Sequence, residues 1–216
     1  MILMELKGKI INFLGDSITQ GAGASKPKYS FVEQFKKITK VKAANNYGIG
    51  GTRIARKTVP SENEICDQDF VGRFTDMDRN ADAVVVFGGT NDFGHGDAKI
   101  GTFESRDVHT FYGACHTLMC GLSEMFIGKP IVFVTPLHRE NENKKDMNGH
   151  VLKDYVKVIK EVAEYYSIPV LDLYATSGMQ PEIPVVKERL MPDGLHPNDA
   201  GHLILAERIK GFLEAL

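Results

Sequence analysis

The sequence predicts an α/β fold, a sandwich in which about five parallel strands are covered by helices on both faces. Three observations lead there. Short β-rich runs recur along the chain with helical segments between them. Three of those runs are continuously apolar, as strands buried on both faces are. The segments that follow the first three strands and precede the last helix carry Gly, Asn, Asp and His, whereas the connections leading into strands are short and plain.

The strand candidates are KIINFLG (9–15), VKAANNYG (41–48), DAVVVFGG (82–89), PIVFVTP (130–136) and IPVLDL (168–173). Between them, residues 30–40, 107–126 and 148–167 place apolar side chains three and four apart, and residues 199–216 close the chain in the same way. No repeat, low-complexity tract or Pro/Ser-rich linker interrupts this pattern. With 216 residues, the chain is expected to form a single domain over its whole length. In an open parallel sheet the carboxyl ends of the strands hold the site, so the uneven loops show where to look.

Composition excludes several function classes. The formal net charge is −2, with 25% charged residues of both signs interspersed, which offers no basic stripe for nucleic acid and no polybasic patch for a membrane. The three cysteines, Cys66, Cys115 and Cys120, have no metal-like spacing and are expected as reduced, mostly buried thiols. The opening MILMELKGKIINFLGDS runs into a turn rather than a cleavage site, and no apolar run is long enough to span a membrane. The expectation is a cytoplasmic protein.

Ser17 follows the first strand directly, in IINFLGDSITQGAG (10–23). A serine placed there presents its hydroxyl at the open edge of the sheet with its own N–H free to donate, while Gly21 and Gly23 keep the next loop open. Taken alone, Gly-Asp-Ser is equally a strand-ending turn whose Asp or Ser caps a helix. Near the other end, in MPDGLHPNDAGH (191–202), Asp193 and His196 stand three residues apart. The carboxylate can hold the imidazole Nδ1–H and leave Nε2 to take a proton from a serine, and Pro197 sets the histidine on the lip of the last helix. The competing reading is a helix start capped by Asn198 or Asp199, with His196 incidental. Asn91, in VVVFGGTNDFGHG (84–96), and the glycines of NNYGIGGTRI (45–54) can supply donors for an oxyanion, or can be strand-to-helix turns and nothing more.

Together, Gly15-Asp16-Ser17, the glycine of GIGGT, Gly89-Thr90-Asn91-Asp92 and the Asp-x-x-His-Pro of Asp193 to Pro197 resemble, in order, the motifs of the SGNH hydrolases, the GDSL-type esterases and lipases. The resemblance spans nearly the whole chain. One departure is Ser17-Ile18 where the family has Ser-Leu, an apolar exchange; another is that Gly48, Gly50 and Gly51 compete for one donor position. The resemblance implies a flavodoxin-like three-layer sandwich, with Ser17 as nucleophile, His196 as base and Asp193 as its orienter. It implies an oxyanion hole made of the Ser17 N–H, the Gly51 N–H and the Asn91 side chain. An α/β hydrolase shares the order Ser, Asp, His but would carry Gly-x-Ser-x-Gly well inside the chain.

The expected chemistry is acyl transfer through an acyl-enzyme, with no metal or organic cofactor and a small-molecule ester as partner. Candidate substrate contacts are Asp16, Arg53, His95 and His138, with Phe103, Glu104, His109 and Arg139 on the long polar segments 93–113 and 136–150. Neither segment offers the apolar helical lid of a long-chain lipase, which favours a short acyl group, acetyl for preference, on a polar alcohol such as a sugar. The alternatives are a lysophospholipase or thioesterase with longer acyl preference and, more distantly, a sugar-binding module without turnover.

Overall fold

The computed structural model describes residues 4–216, so Met1 to Leu3 of the opening stretch lie outside the described residues. Five strands, β1 (Ile10–Gly15), β2 (Ala43–Gly48), β3 (Ala83–Phe87), β4 (Ile131–Val134) and β5 (Val170–Leu171), form one parallel sheet in the order β2-β1-β3-β4-β5. Around it run helices α1 (Ser17–Gln20), α2 (Phe31–Thr39), α3 (Phe70–Arg73), α4 (Thr90–His95) and α5 (Phe111–Met125). They are followed by α6 (Leu152–Tyr165), α7 (Leu173–Thr176), α8 (Pro184–Leu190) and α9 (Asp199–Glu214). Each strand and each long helix expected from periodicity is present. The helices not anticipated are one or two turns long, too short to show a period, and β5 shrinks to two residues because Asp172 leaves the sheet to cap α7 through the Ala175 N–H.

Strand alternation divides the core in two. Leu14, Val84, Val86 and Phe133 point into the face covered by α5 and α6, whereas Ile11, Phe13, Val85, Phe87 and Val134 point into the face covered by α2 and α9. On the second face Phe13 meets Phe31 and Phe35 edge-on, with ring centroids 5.8 and 5.1 Å apart. Because the chain passes from β1 outward to β2 and then returns to place β3 on the other side of β1, a crevice opens above the carboxyl ends of β1 and β3. Ser17 follows the first of these strands and Asn91 the second.

Buried polar groups set the floor of that crevice. Arg73, in the one-turn helix α3, donates to the carbonyl oxygens of Gly15 (2.7 Å), Tyr47 (2.5 Å) and Gln68 (2.9 Å) and to Thr52 Oγ1 (3.1 Å). One guanidinium thus ties the carboxyl ends of β1 and β2 together. Burial lowers its pKa to about 10, so it stays charged at neutral pH.

Asp16, which the sequence offered as a substrate contact, is only 2% exposed and caps α1 instead, with Oδ1 accepting from the Ile18 N–H at 3.0 Å. A residue joining the end of a buried strand to a helix start is committed to the backbone before any ligand arrives. Burial, aided by nearby Asp92 and opposed by the Ile18 N–H and Arg73, raises its carboxyl to about 7. The unfolded carboxyl titrates near 3.8, so between these values the native state binds the extra proton and Asp16 makes the protein less stable as pH rises. In urea unfolding, Asp16→Asn is therefore expected to gain stability relative to the parent progressively from pH 4 to pH 7 and to level off above. A difference that shrinks over that range would contradict the buried carboxyl.

Candidate active site

Residues far apart in the chain meet at the crevice. The Ser17 hydroxyl donates to His196 Nε2 at 3.0 Å, and His196 Nδ1–H donates to Asp193 Oδ2 at 2.6 Å. The second oxygen of the same carboxylate accepts the backbone N–H groups of His196 (2.7 Å) and Leu195 (2.9 Å). Burial alone would raise the Asp193 carboxyl. The hydrogen bonds from the His196 backbone and ring and from Leu195 outweigh it and hold the group below the usual carboxylate range. It is ionised at neutral pH and keeps the proton of the neutral imidazole on Nδ1, leaving Nε2 as an acceptor. Asn198 does cap α9, accepting from the Ala200 and Gly201 N–H groups. The two readings of this loop therefore hold together: cap and histidine occupy adjacent steps of one turn.

The loop after Ser17 is drawn onto this turn. Gly23 has φ +88°, and a Cβ there would sit 2.2 Å from Pro197 O and 3.0 Å from His196 Cβ, so only glycine permits the approach. Asp199 accepts from Ser25 N–H (2.7 Å) and Oγ–H (2.6 Å). His202, on the first turn of α9, is fully buried and stacks on Phe31. Its Nδ1 accepts from Phe31 N–H and its Nε2–H donates to Ala22 O, tying α9 to the Ser17 loop and to α2. Burial keeps its pKa below the usual histidine value.

Three donors on the segments that follow β1, β2 and β3 keep a hydrogen without a protein acceptor among the described residues. Among the described residues, neither the Ser17 nor the Gly51 backbone N–H is donated within the chain, whereas Gly48 N–H goes to Asn46 Oδ1 and Gly50 N–H to Gln20 Oε1. The geometry separates Gly51 from its two competitors. Gly51 has φ +75°, and a Cβ there would lie 2.7 Å from Cys66 Sγ. The Asn91 amide spends one hydrogen on Thr52 O (3.0 Å) and has the other to spare. Its neighbour Asp92 is buried and accepts from Ile54 N–H (3.0 Å) and Ala55 N–H (2.8 Å), fastening the segment after β2 to the start of α4. Burial raises the Asp92 carboxyl to about 6 against the pull of those two N–H groups.

The proposed substrate contacts divide. Arg53 is 1% exposed and is an anchor rather than a contact: it pairs with Asp67 at 2.9 Å and donates to Gly51 O, Cys66 O and His95 Nδ1. Since arginine only donates, His95 accepts at Nδ1 and its Nε2–H is left as a donor on an exposed ring. His138 turns aside, with Nδ1–H on Glu142 (2.7 Å) and its ring 4.0 Å from that of Tyr174. It borders a cavity of about 580 Å³ with α6 and α7 that is lined by none of Ser17, Asp193 and His196. Phe103 packs against Tyr112, His116 and Tyr165, on the α5–α6 side of the sheet. Glu104 is exposed beside it, and His109 borders a separate cleft with Asp97 and Lys99. The polar, glycine-bearing composition of segment 93–113 suits a cleft, yet its aromatic residues find burial on the helices. Arg73, Asp92 and His202 carried no motif signal as anchors, because a buried hydrogen-bond role depends on tertiary neighbours.

All three cysteines are free, no helix among the described residues is long and apolar enough to cross a membrane, and no group of three His, Cys, Asp or Glu side chains among them is arranged to hold a metal ion.

Comparison with known proteins places this geometry in a family. No curated protein matches the chain. Among solved structures, one is 34% identical, with a TM-score of 0.87 and 99% of each chain covered. A protein from Lactobacillus plantarum is 30% identical, with a TM-score of 0.84, 97% of this chain and 98% of that one being covered. A two-domain esterase active on acetylated mannans is 24% identical, with a TM-score of 0.68, over 96% of this chain and 48% of its own. Residues 13–204 match the GDSL-like lipase/acylhydrolase family, and the chain belongs to that family of carboxylic ester hydrolases.

Proposed function

We propose that the protein is a serine esterase that removes short acyl groups, acetyl for preference, from polar alcohols such as carbohydrates. The observation that carries this reading is the unbroken chain from Ser17 Oγ to His196 to Asp193 beside the undonated N–H groups of Ser17 and Gly51. In the proposed cycle His196 Nε2 takes the Ser17 proton as Oγ attacks the ester carbonyl. The Ser17 N–H, the Gly51 N–H and the Asn91 amide hold the oxyanion, and His196 returns the proton to the leaving alcohol. Water then enters by the same route and releases the acid from the acyl-enzyme. Asp193 stabilises the imidazolium and keeps the ring in register.

The short-acyl preference is supported by the character of the walls. Gln20, His95, Arg139 and Glu140 stand on the segments next to the site, and none of these segments forms an apolar helix over Ser17. The similarity to an esterase active on acetylated mannans lends weight to a carbohydrate ester. A reducing, cytoplasmic setting is part of the same reading, supported by the three free thiols.

Hydrolysis of p-nitrophenyl esters from acetate to decanoate is expected to peak at acetate and to vanish in Ser17→Ala. Asn91→Ala, which removes one oxyanion donor, is expected to lower kcat by roughly a hundredfold to a thousandfold with a smaller change in KM. A peak at longer chains would instead favour the lysophospholipase or thioesterase reading. Absence of turnover in the folded parent would favour a binding module.

A further inference from the structure

The charge balance around Arg139 points to a substrate property that the triad leaves open. Arg139 follows β4 and lies between the two halves of the site. Its Nη1 donates to Thr90 O (3.1 Å) and Thr90 Oγ1 (3.2 Å), next to Asn91, and the guanidinium lies over the Phe93 ring, 5.6 Å from its centroid. The following residue, Glu140, donates its N–H to Gly194 O (2.8 Å), next to Asp193. The Arg139 side chain thus rests on the Asn91 helix while the backbone of the next residue is fastened to the His196 turn.

No carboxylate among the described residues forms an ion pair with it. Glu140 is turned to Lys187, with Oε1 2.6 Å from Nζ, and Glu142 is occupied by His138 and the Tyr174 hydroxyl. Arg139 Nε is shielded from solvent and has no acceptor, and Nη2 donates to nothing among the described residues. Burial pulls the pKa of this group down, opposed by the charges of Asp16 and Asp193, with neither of which it forms an ion pair. A half-buried guanidinium with unused donors, in a chain that has acids close by but directs them elsewhere, lacks an anion.

We infer that Arg139 binds a carboxylate carried by the substrate, so that the preferred ester is anionic. The inference rests on the esterase reading above and narrows its substrate class. A monoanion fits better than a dianion such as a phosphate monoester, because one cation is uncompensated and the ionised Asp193 stands nearby.

The test compares 4-acetoxybenzoate with its methyl ester, which share the acetyl group and differ in charge. The parent protein is expected to favour the anionic ester in kcat/KM, and Arg139→Gln to lower that ratio by about tenfold or more, with Arg139→Lys between them. An unchanged ratio in Arg139→Gln, or a parent preference for the methyl ester, would overturn the inference. A second readout needs no turnover: in folded Ser17→Ala protein, the NMR signal of Arg139 Nε–H is expected to shift on titration with 4-acetoxybenzoate and not with the methyl ester. If that signal shifts while the parent hydrolyses neither ester, the anion site stands and the esterase reading fails. If both esters turn over without preference and the signal stays still, the esterase stands and the anion site fails.

Discussion

The hydrogen bond between Ser17 Oγ and His196 Nε2 joins residues 179 positions apart, and the architecture above the sheet depends on that closure. Neither end is free to adjust. Ser17 sits at the first position of a helix that begins one residue beyond β1, so the strand aims it. His196 stands on the turn that starts α9, and α9 packs on the same sheet face as α2 through Leu205, Ile209 and Leu213. The apolar layer beneath therefore sets the distance between the Ser17 hydroxyl and the His196 ring. This is the arrangement expected for groups that must be held within a fraction of an ångström while water and substrate come and go.

The side of the crevice that carries Gly51 and Asn91 is built by a different device. Asp92, Arg73 and Arg53 are buried ionisable side chains whose partners are largely backbone groups of the segments following β1 and β2. Each carries a desolvation cost that an apolar side chain would avoid, visible in the raised carboxyl of Asp92 and the lowered guanidinium of Arg73. What they provide is direction: glycine-rich loops have no side chains to pack, and hydrogen bonds to fixed charges hold their N–H groups in place. Among the three glycines of this loop, the Gly51 N–H is thus left without an acceptor among the described residues, while the Gly48 and Gly50 N–H groups are already occupied.

The legibility of the sequence follows from the same division. The strands and long helices could be read because burial on both faces leaves β3 and β4 continuously apolar, whereas burial on one face imposes a period of nearly four on α2, α5, α6 and α9. The meeting of Ser17, His196 and Asp193 could be expected because each lies at a strand or helix end within a short motif. Arg73, His202 and Asp92 could not be read as anchors, because their partners are backbone groups tens of residues away and leave no local pattern. The same reason misdirected Asp16, Arg53 and His138: their polarity was visible, whereas the neighbours that occupy them were not. Arg139 shows the converse, a polar loop residue whose importance lies in the acids that fail to pair with it.

The central claim is that Ser17 is an activated nucleophile, not a cap that happens to face a histidine. The most direct measurement is treatment of the intact protein with a fluorophosphonate, followed by whole-protein and peptide mass spectrometry. One covalent adduct is expected, on Ser17, absent from Ser17→Ala and formed much more slowly in His196→Ala. No adduct on the folded protein, or an adduct on another residue that persists in Ser17→Ala, would contradict it.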